Sequence, residues 1–389
     1  MSKEASFWGS LRRVKAHPGR RPDFDRFLRA VTTSEPGPVP VGDSFADYEV
    51  MGALLGERVR NLMVEAVEGQ KPNFSLGLIT DMVKYFNQCI RFSCEAGWDY
   101  VPSLALTNFP GFGYQIADNT SGEVKEGKRG WINDNRGPVM SWEDFERYEW
   151  PTNTRSVNIS SRFMAKRVPD GMKVLPYYGG FFEWTTWLMG LVPFSYALTD
   201  EPDLVDAVTQ KVSDYIYKSA VEIIEEPNVG GIFQSDDLGY NTSTFVSPAI
   251  LREKFLPHIK RIIDLAHSAG KVYLFHSCGN MYSVMDDLIE MGIDAKHSFE
   301  DKILPVEEAY QKWGSRVCIM GGVDVNLLAK GTESEVRKRT REILEVCGAG
   351  GHYVLGSGNS VANYVPLGNY LAMLDERRKW NREHFGREG

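Results

Sequence analysis

Eight short runs of apolar and β-branched residues recur along the chain, at 38–42, 100–106, 173–178, 230–235, 271–276, 293–298, 317–321 and 353–356. Between the later runs lie stretches with helical period. Residues 203–224 place Leu204, Val208, Val212, Tyr215 and Ile223 close to one face, behind an acidic first turn that contains Pro202. Ser247 followed by Pro248 reads as a cap and first position for a helix through Ala266, and Thr332 with Glu335 forms a capping-box pattern. Strands that alternate with helices pair in parallel, because a parallel pair needs a long crossover. The pattern therefore predicts an α/β fold, a (β/α)8 TIM barrel, with a doubly wound sheet as the alternative. Residues 1–75 read as an N-terminal helical extension wrapped on that barrel, and 107–151 as an irregular, Gly- and aromatic-rich insertion at a lid or substrate-facing position. No linker divides the chain. The expected organisation is a basic N-terminal arm at 1–30 and a single barrel domain over 31–389.

A barrel of this kind gathers its functional residues where the strands end. Asp43, Asn108, Asp236, His276, His297, Asp324 and Asn359 all fall at or just beyond such an end. His276-Ser277-Cys278-Gly279 follows an apolar run, and residues two apart in extended chain point the same way. An imidazole and a thiol emerging together suit zinc. The plainer reading of the same residues makes His276 a helix cap and Cys278 a small buried hydrophobe. Asp236 and Asp237 are adjacent, so one faces the cavity while its neighbour caps or pairs outside. The cavity carboxylate is a candidate acid, base or oxygen ligand. His297 and Glu300 offer an imidazole and a carboxylate after the next strand, as catalytic candidates. Gly321-Gly322-Val323-Asp324 allows close backbone approach, with Asp324 either a cofactor contact or a helix cap. The glycine-rich stretch around residue 353 has neither a P-loop Lys-Ser/Thr nor a dinucleotide-binding register. Aromatic residues from Tyr177 to Trp187 read as core, or as walls of a pocket for a flat ring.

Composition narrows the function classes. Hydrophobic residues make up 42% and charged residues 25%, the balance of a globular protein with a full core. A net charge of −8 argues against a nucleic-acid partner. Residues 1–30 hold eight basic and three acidic residues, which reads as a solvated arm rather than a transit peptide. The most apolar stretch, 175–198, is broken by Pro176, Gly179, Gly180, Glu183 and Pro193, so no membrane span is expected. Five cysteines without scaffold spacing suggest reduced thiols and a cytoplasmic location. Cys318 reads as core and Cys347 as inert at the far end of the barrel.

At residues 231–239, Ser247-Pro248, His276-Ser277-Cys278-Gly279-Asn280, Gly321-Gly322-Val323-Asp324 and 353–366, the sequence resembles the uroporphyrinogen decarboxylase superfamily, which also holds zinc-dependent corrinoid methyltransferases. The resemblance runs from about Phe27 to Lys379. It implies a cytoplasmic (β/α)8 barrel, often a homodimer in the decarboxylases. The decarboxylases' N-terminal segment grips propionates with arginines, whereas the comparable stretch here, 38–45, has none. The methyltransferase branch is closer. The resemblance then implies zinc ligation by His276 and Cys278, with a corrinoid carried by a partner protein and a small methylated or methoxylated compound as substrate. A third ligand cysteine is expected in the last loop, and Asn359 stands there; His297, Glu300 or Asp236 is the substitute expected. The alternative is a decarboxylase-like carboxy-lyase acting on a tetrapyrrole or other carboxylic acid, anchored by Arg129 or Arg136.

Overall fold

The computed structural model describes residues 21–60, 76–107, 109–111, 114–118 and 128–389; the side chains of 76–78, 114–118 and 128–131 lie outside the description. Seven parallel strands form one curled sheet: β1 (Tyr100–Leu104), β4 (Lys173–Tyr178), β5 (Gly231–Ser235), β6 (Val272–His276), β7 (Ala295–His297), β8 (Cys318–Met320) and β9 (Tyr353–Val354), in that order. β2 (Tyr114–Asp118) and β3 (Lys128–Ile132) pair separately as an antiparallel ribbon. Seven of the eight predicted strands thus appear in register with their runs. The eighth, 38–42, contributes Val41, which bridges in parallel to Trp98 ahead of β1 and to Leu355 behind β9. The two edges of the curl are therefore joined through one extended residue.

The concave side has its own core. Tyr100, Leu175, Phe233, Val272, Leu274, Ala295, Cys318, Met320 and Val354 meet there, taken from alternate positions along successive strands. The helix Phe24–Thr32 closes this core from the end where the strands begin. Asp23 caps it by accepting a hydrogen bond from Arg26 N at 3.0 Å, and Phe24, Phe27 and Val31 join the cluster. The expected boundary at residue 30 thus falls inside a helix that belongs to the main body. Residues 1–20, most of the predicted basic arm, lie outside the described residues. The other helices pack on the convex side against the larger core.

The strong helical signals appear where the caps placed them. Pro202–Ile224 is one helix of 23 residues. Ser247 accepts a hydrogen bond from Ile250 N, and the helical path then runs through a π-helical turn, Leu251–Phe255, into Leu256–Ser268. Thr332 and Glu335 form the full capping box. The insertion is less irregular than expected, since it holds the β2–β3 ribbon and the helix Trp142–Arg147. Elements of five and six residues are too short to leave a clear period. Among the described residues, no helix is long and apolar enough to cross a membrane.

Candidate metal centre and its surroundings

Strand register assembles the site. Ser235 pairs with His276 and His276 with His297, so three interior-facing side chains stand side by side at the ends of β5, β6 and β7. Because the strands are parallel, Asp43, Asp237, Cys278 and Asn359, each just past a strand end, reach the same rim. Gly279 turns the chain there with φ +74°, and a side chain at that position would collide with the carbonyl of Gly239. The Cys278 loop therefore lies tight against the loop that carries Asp237.

His276 Nε2 lies 3.3 Å from Cys278 Sγ and 3.8 Å from Asp237 Oδ1. The three ligand atoms fall within 4.8 Å of one another. Four-coordinate zinc with bonds of about 2.0–2.3 Å separates its ligand atoms by roughly 3.3–3.8 Å. Both separations from His276 fall in that range and the third pair lies within 4.8 Å, so this nitrogen, sulfur and oxygen set could hold a zinc ion. Asp237 is steadied by Cys278 N, which donates to Oδ1 at 2.7 Å. Asn359 Nδ2 donates to Cys278 Sγ at 3.0 Å, so the residue in the expected third-ligand position contacts the sulfur instead.

The expected substitutes for the third ligand are placed elsewhere. Asp236 is the outward-facing member of its pair: its carboxylate accepts from Phe181 N, Phe182 N and Glu183 N at 2.9–3.1 Å, capping the helix Phe181–Met189. The close approach requires Gly180, where any Cβ would overlap that carboxylate. Glu300 Oε1 lies 3.4 Å from Gly279 N and braces the loop. His297 sits behind His276, Nδ1 to Nδ1 at 2.7 Å. Asp324 is an N-cap, accepting from Asn326 N at 2.8 Å and Leu327 N at 3.1 Å, so its carboxylate is committed to a helix rather than to a cofactor. Of the two expected carboxylate anchors, Arg136 is exposed and the Arg129 side chain lies outside the described residues.

Burial sets the protonation of the centre. It lowers the pKa of His276 to about 3, helped by the neighbouring His297, and that of His297 to about 3. Both rings are neutral at physiological pH, as a ligand must be. Burial also raises the Cys278 thiol well above its ordinary value, with Asp237 and Glu300 adding to the effect and Asn359 opposing it. The sulfur alone therefore keeps its proton, and a bound cation would be needed to hold it as thiolate.

Three further residues belong to the site. Asp43 is fully buried and accepts from Ser357 N and Ser357 Oγ, both at 2.9 Å. Lys296 is fully buried, with Nζ donating to the carbonyls of Ser277 (2.9 Å) and Ser298 and standing 4.7 Å from the Phe299 ring; burial lowers its pKa to about 8. Glu183 accepts from Ser235 Oγ at 3.3 Å, and burial followed by Asp237 raises its pKa. A lysine inside a strand and a lone glutamate in an apolar run were the visible signals for the last two. The aromatic run resolves mostly into core, with Phe181, Phe182 and Trp184 buried, while Tyr177 turns inward and meets Phe45 edge-on at 5.6 Å.

The sequence model of the uroporphyrinogen decarboxylase (URO-D) family matches residues 127–380, which include Asp237, His276, Cys278, His297 and Asn359. No curated protein matches the chain. Among solved structures, a methyltransferase from Methanosarcina mazei is similar over 91% of this chain and 98% of that one, at 18% identity and a TM-score of 0.63. An intracellular xylanase from Thermoanaerobacterium saccharolyticum is similar over 61% of this chain and 85% of its own, at 12% identity and a TM-score of 0.36.

Proposed function

This chain belongs to the uroporphyrinogen decarboxylase family, and from that premise we propose that it is a zinc-dependent methyl-transfer enzyme built on a (β/α)8 barrel that closes through Val41. The observation that carries this reading is the Asp237, His276 and Cys278 donor set at the rim, in which both separations from His276 suit a tetrahedral ion. Asp237, His276 and Cys278 would hold the zinc ion, which would supply Lewis-acid activation of a thiolate or of the heteroatom that bears the methyl group. The chain's own groups do the rest. His276 stays neutral and presents Nε2. Asn359 Nδ2–H steadies negative charge on Cys278 Sγ. Cys278 N–H orients Asp237. The proposed acceptor is a corrinoid on a partner protein, in line with the family resemblance and with Tyr240 and Phe245, 61% and 42% exposed, on the rim loop after Asp237.

A cavity of about 280 Å³ supports the substrate class. Phe45, Tyr48, Tyr85, Phe92, Trp98 and Tyr177 line it beside β1 and the helix Leu76–Ala96, and Tyr177 lies on β4, whose partner strand β5 ends at Ser235, the register neighbour of His276. An apolar, aromatic-walled space of this size takes a single ring with a few substituents. We read the methyl donor as a small methylated or methoxylated ring compound.

The test is single-turnover transfer from anisole or guaiacol to reduced cobalamin as a stand-in acceptor, followed by its visible spectrum. Methylcobalamin formation that zinc supports, that a chelator abolishes and that Cys278→Ser loses is the expected result. Release of carbon dioxide from a carboxylated ring compound, with no methyl transfer, would support the carboxy-lyase instead.

A further inference from the structure

His276 and His297 face each other through like atoms, Nδ1 to Nδ1 at 2.7 Å. Two neutral imidazoles in this arrangement hold one proton between them, so one ring is an Nδ1–H donor and the other an Nδ1 acceptor. Which is which decides whether His276 Nε2 carries a lone pair toward Cys278 and Asp237 or a proton. Among the described residues, nothing hydrogen-bonds His297 Nε2, and Asp43 Oδ1 lies 3.5 Å from it. Asp43 Oδ2 is likewise without a partner, although both residues are fully buried. Placing the proton on His297 Nε2 points it at that carboxylate. With Asp43 ionised, as its two Ser357 donors favour, the opposite choice sets a bare ring nitrogen against carboxylate oxygen, with no donor between them among the described residues. Buried polar groups are rarely left in that state.

We infer that His297, anchored by Asp43, is a positioning residue that fixes His276 as its Nδ1–H tautomer and so frees His276 Nε2 to bind a metal ion. The chain runs Asp43 Oδ1, His297 Nε2–H, His297 Nδ1, Nδ1–H of His276, and ends on the Nε2 lone pair. A ring nitrogen's proton is set by the hydrogen bond the other nitrogen makes, and partners of this kind orient metal-bound histidines. Asp43 comes from the stretch that joins the two edges of the sheet, so the closure of the fold also completes the metal centre's support. Sequence carries only the components: an aspartate after one strand and histidines after two others, brought together by register.

The inference rests on the metal reading for its purpose but not for its test. Nitrogen-15 spectra of histidine-labelled, metal-free protein report the tautomer directly. The wild type is expected to show His276 protonated at Nδ1, and His297→Asn, whose side-chain oxygen replaces Nδ1 as acceptor, is expected to keep it. His297→Leu is expected to lose it. A wild-type His276 protonated at Nε2 overturns the inference without any variant. Cobalt(II) titration supplies the second readout, with affinity falling roughly 10–100-fold in His297→Leu and largely recovering in His297→Asn. Equal affinity in wild type and His297→Leu also overturns it. If the wild type binds no metal while the Nδ1–H tautomer is present and His297-dependent, the relay stands and the metal-dependent function falls.

Discussion

Asp99 and Asp43 are both fully buried carboxylates, one at each end of the curled sheet, and their surroundings differ in kind. Asp99, just ahead of β1, receives Arg26 Nε at 3.0 Å, a second bond from Arg26 Nη2, and Asp23 N at 2.8 Å. Burial raises its pKa and Arg26 pulls it back. The Asp43 carboxylate, at the other end, receives among the described residues only the two neutral donors of Ser357, and burial raises its pKa well above the ordinary value. One end neutralises its buried charge and seals it under Phe24, Phe27 and Val31. The other keeps unpaired atoms on Asp43, His297 and Ser298. The contrast separates a stabilising ion pair from a set of polar groups that meet one another behind His276.

The sharpest way to break that contrast is to remove Asp99. Asp99→Ala leaves the Arg26 guanidinium, 13% exposed, beside an apolar floor, and a loss of about 3–5 kcal/mol is expected in denaturant unfolding. Folded material that survives should still bind zinc as the wild type does. Acid comes next in size. Both site histidines have folded pKa values near 3, below the unfolded value near 6.5, so the unfolded state takes up protons first. Stability is therefore expected to decline as pH falls through the window from about 6.5 toward 3. The slope is at most about 1.4 kcal/mol per pH unit for each ring. Urea unfolding at pH 7, 6 and 5 measures it, and a flat profile would show that the rings are not buried and neutral.

Smaller effects sharpen the division between caps and site. Asp324→Ala should cost about 1 kcal/mol, the value of an N-cap, and leave zinc content unchanged. Zinc loss on that substitution would return Asp324 to the site. Asp43→Asn should change stability least, within roughly 1 kcal/mol, since an amide oxygen still accepts from Ser357. Its effect should instead appear in metal affinity, read by cobalt(II) titration, because the relay behind His276 is weakened.

Much of this was legible from the chain. Alternation of apolar runs with capped helices gave the parallel sheet, and the two-residue spacing of His276 and Cys278 put imidazole and sulfur on one side. Adjacent carboxylates point opposite ways, and so they do: Asp236 caps a helix while Asp237 faces His276. What spacing left open was which of the two turns inward, because that depends on Gly180 admitting the Asp236 carboxylate to a helix end 55 residues earlier in the chain. The family resemblance points for the third donor to Asn359, His297, Glu300 or Asp236, whereas Asp237 enters only as one of two adjacent carboxylates of which one faces the cavity. The pairing of His297 with His276 follows from strand register, which period alone does not determine. The closing strand shrank to Val41 because Pro38 and Pro40 cannot donate to a ladder.

Metal content of the purified protein tests the central claim most directly. Protein prepared under reducing conditions and exchanged into metal-free buffer, then given one equivalent of zinc, should retain close to one ion per chain through gel filtration. Asp237→Ala, His276→Ala and Cys278→Ala should each release most of it. Retention well below stoichiometric in the wild type, or retention that none of the three substitutions changes, would contradict the account.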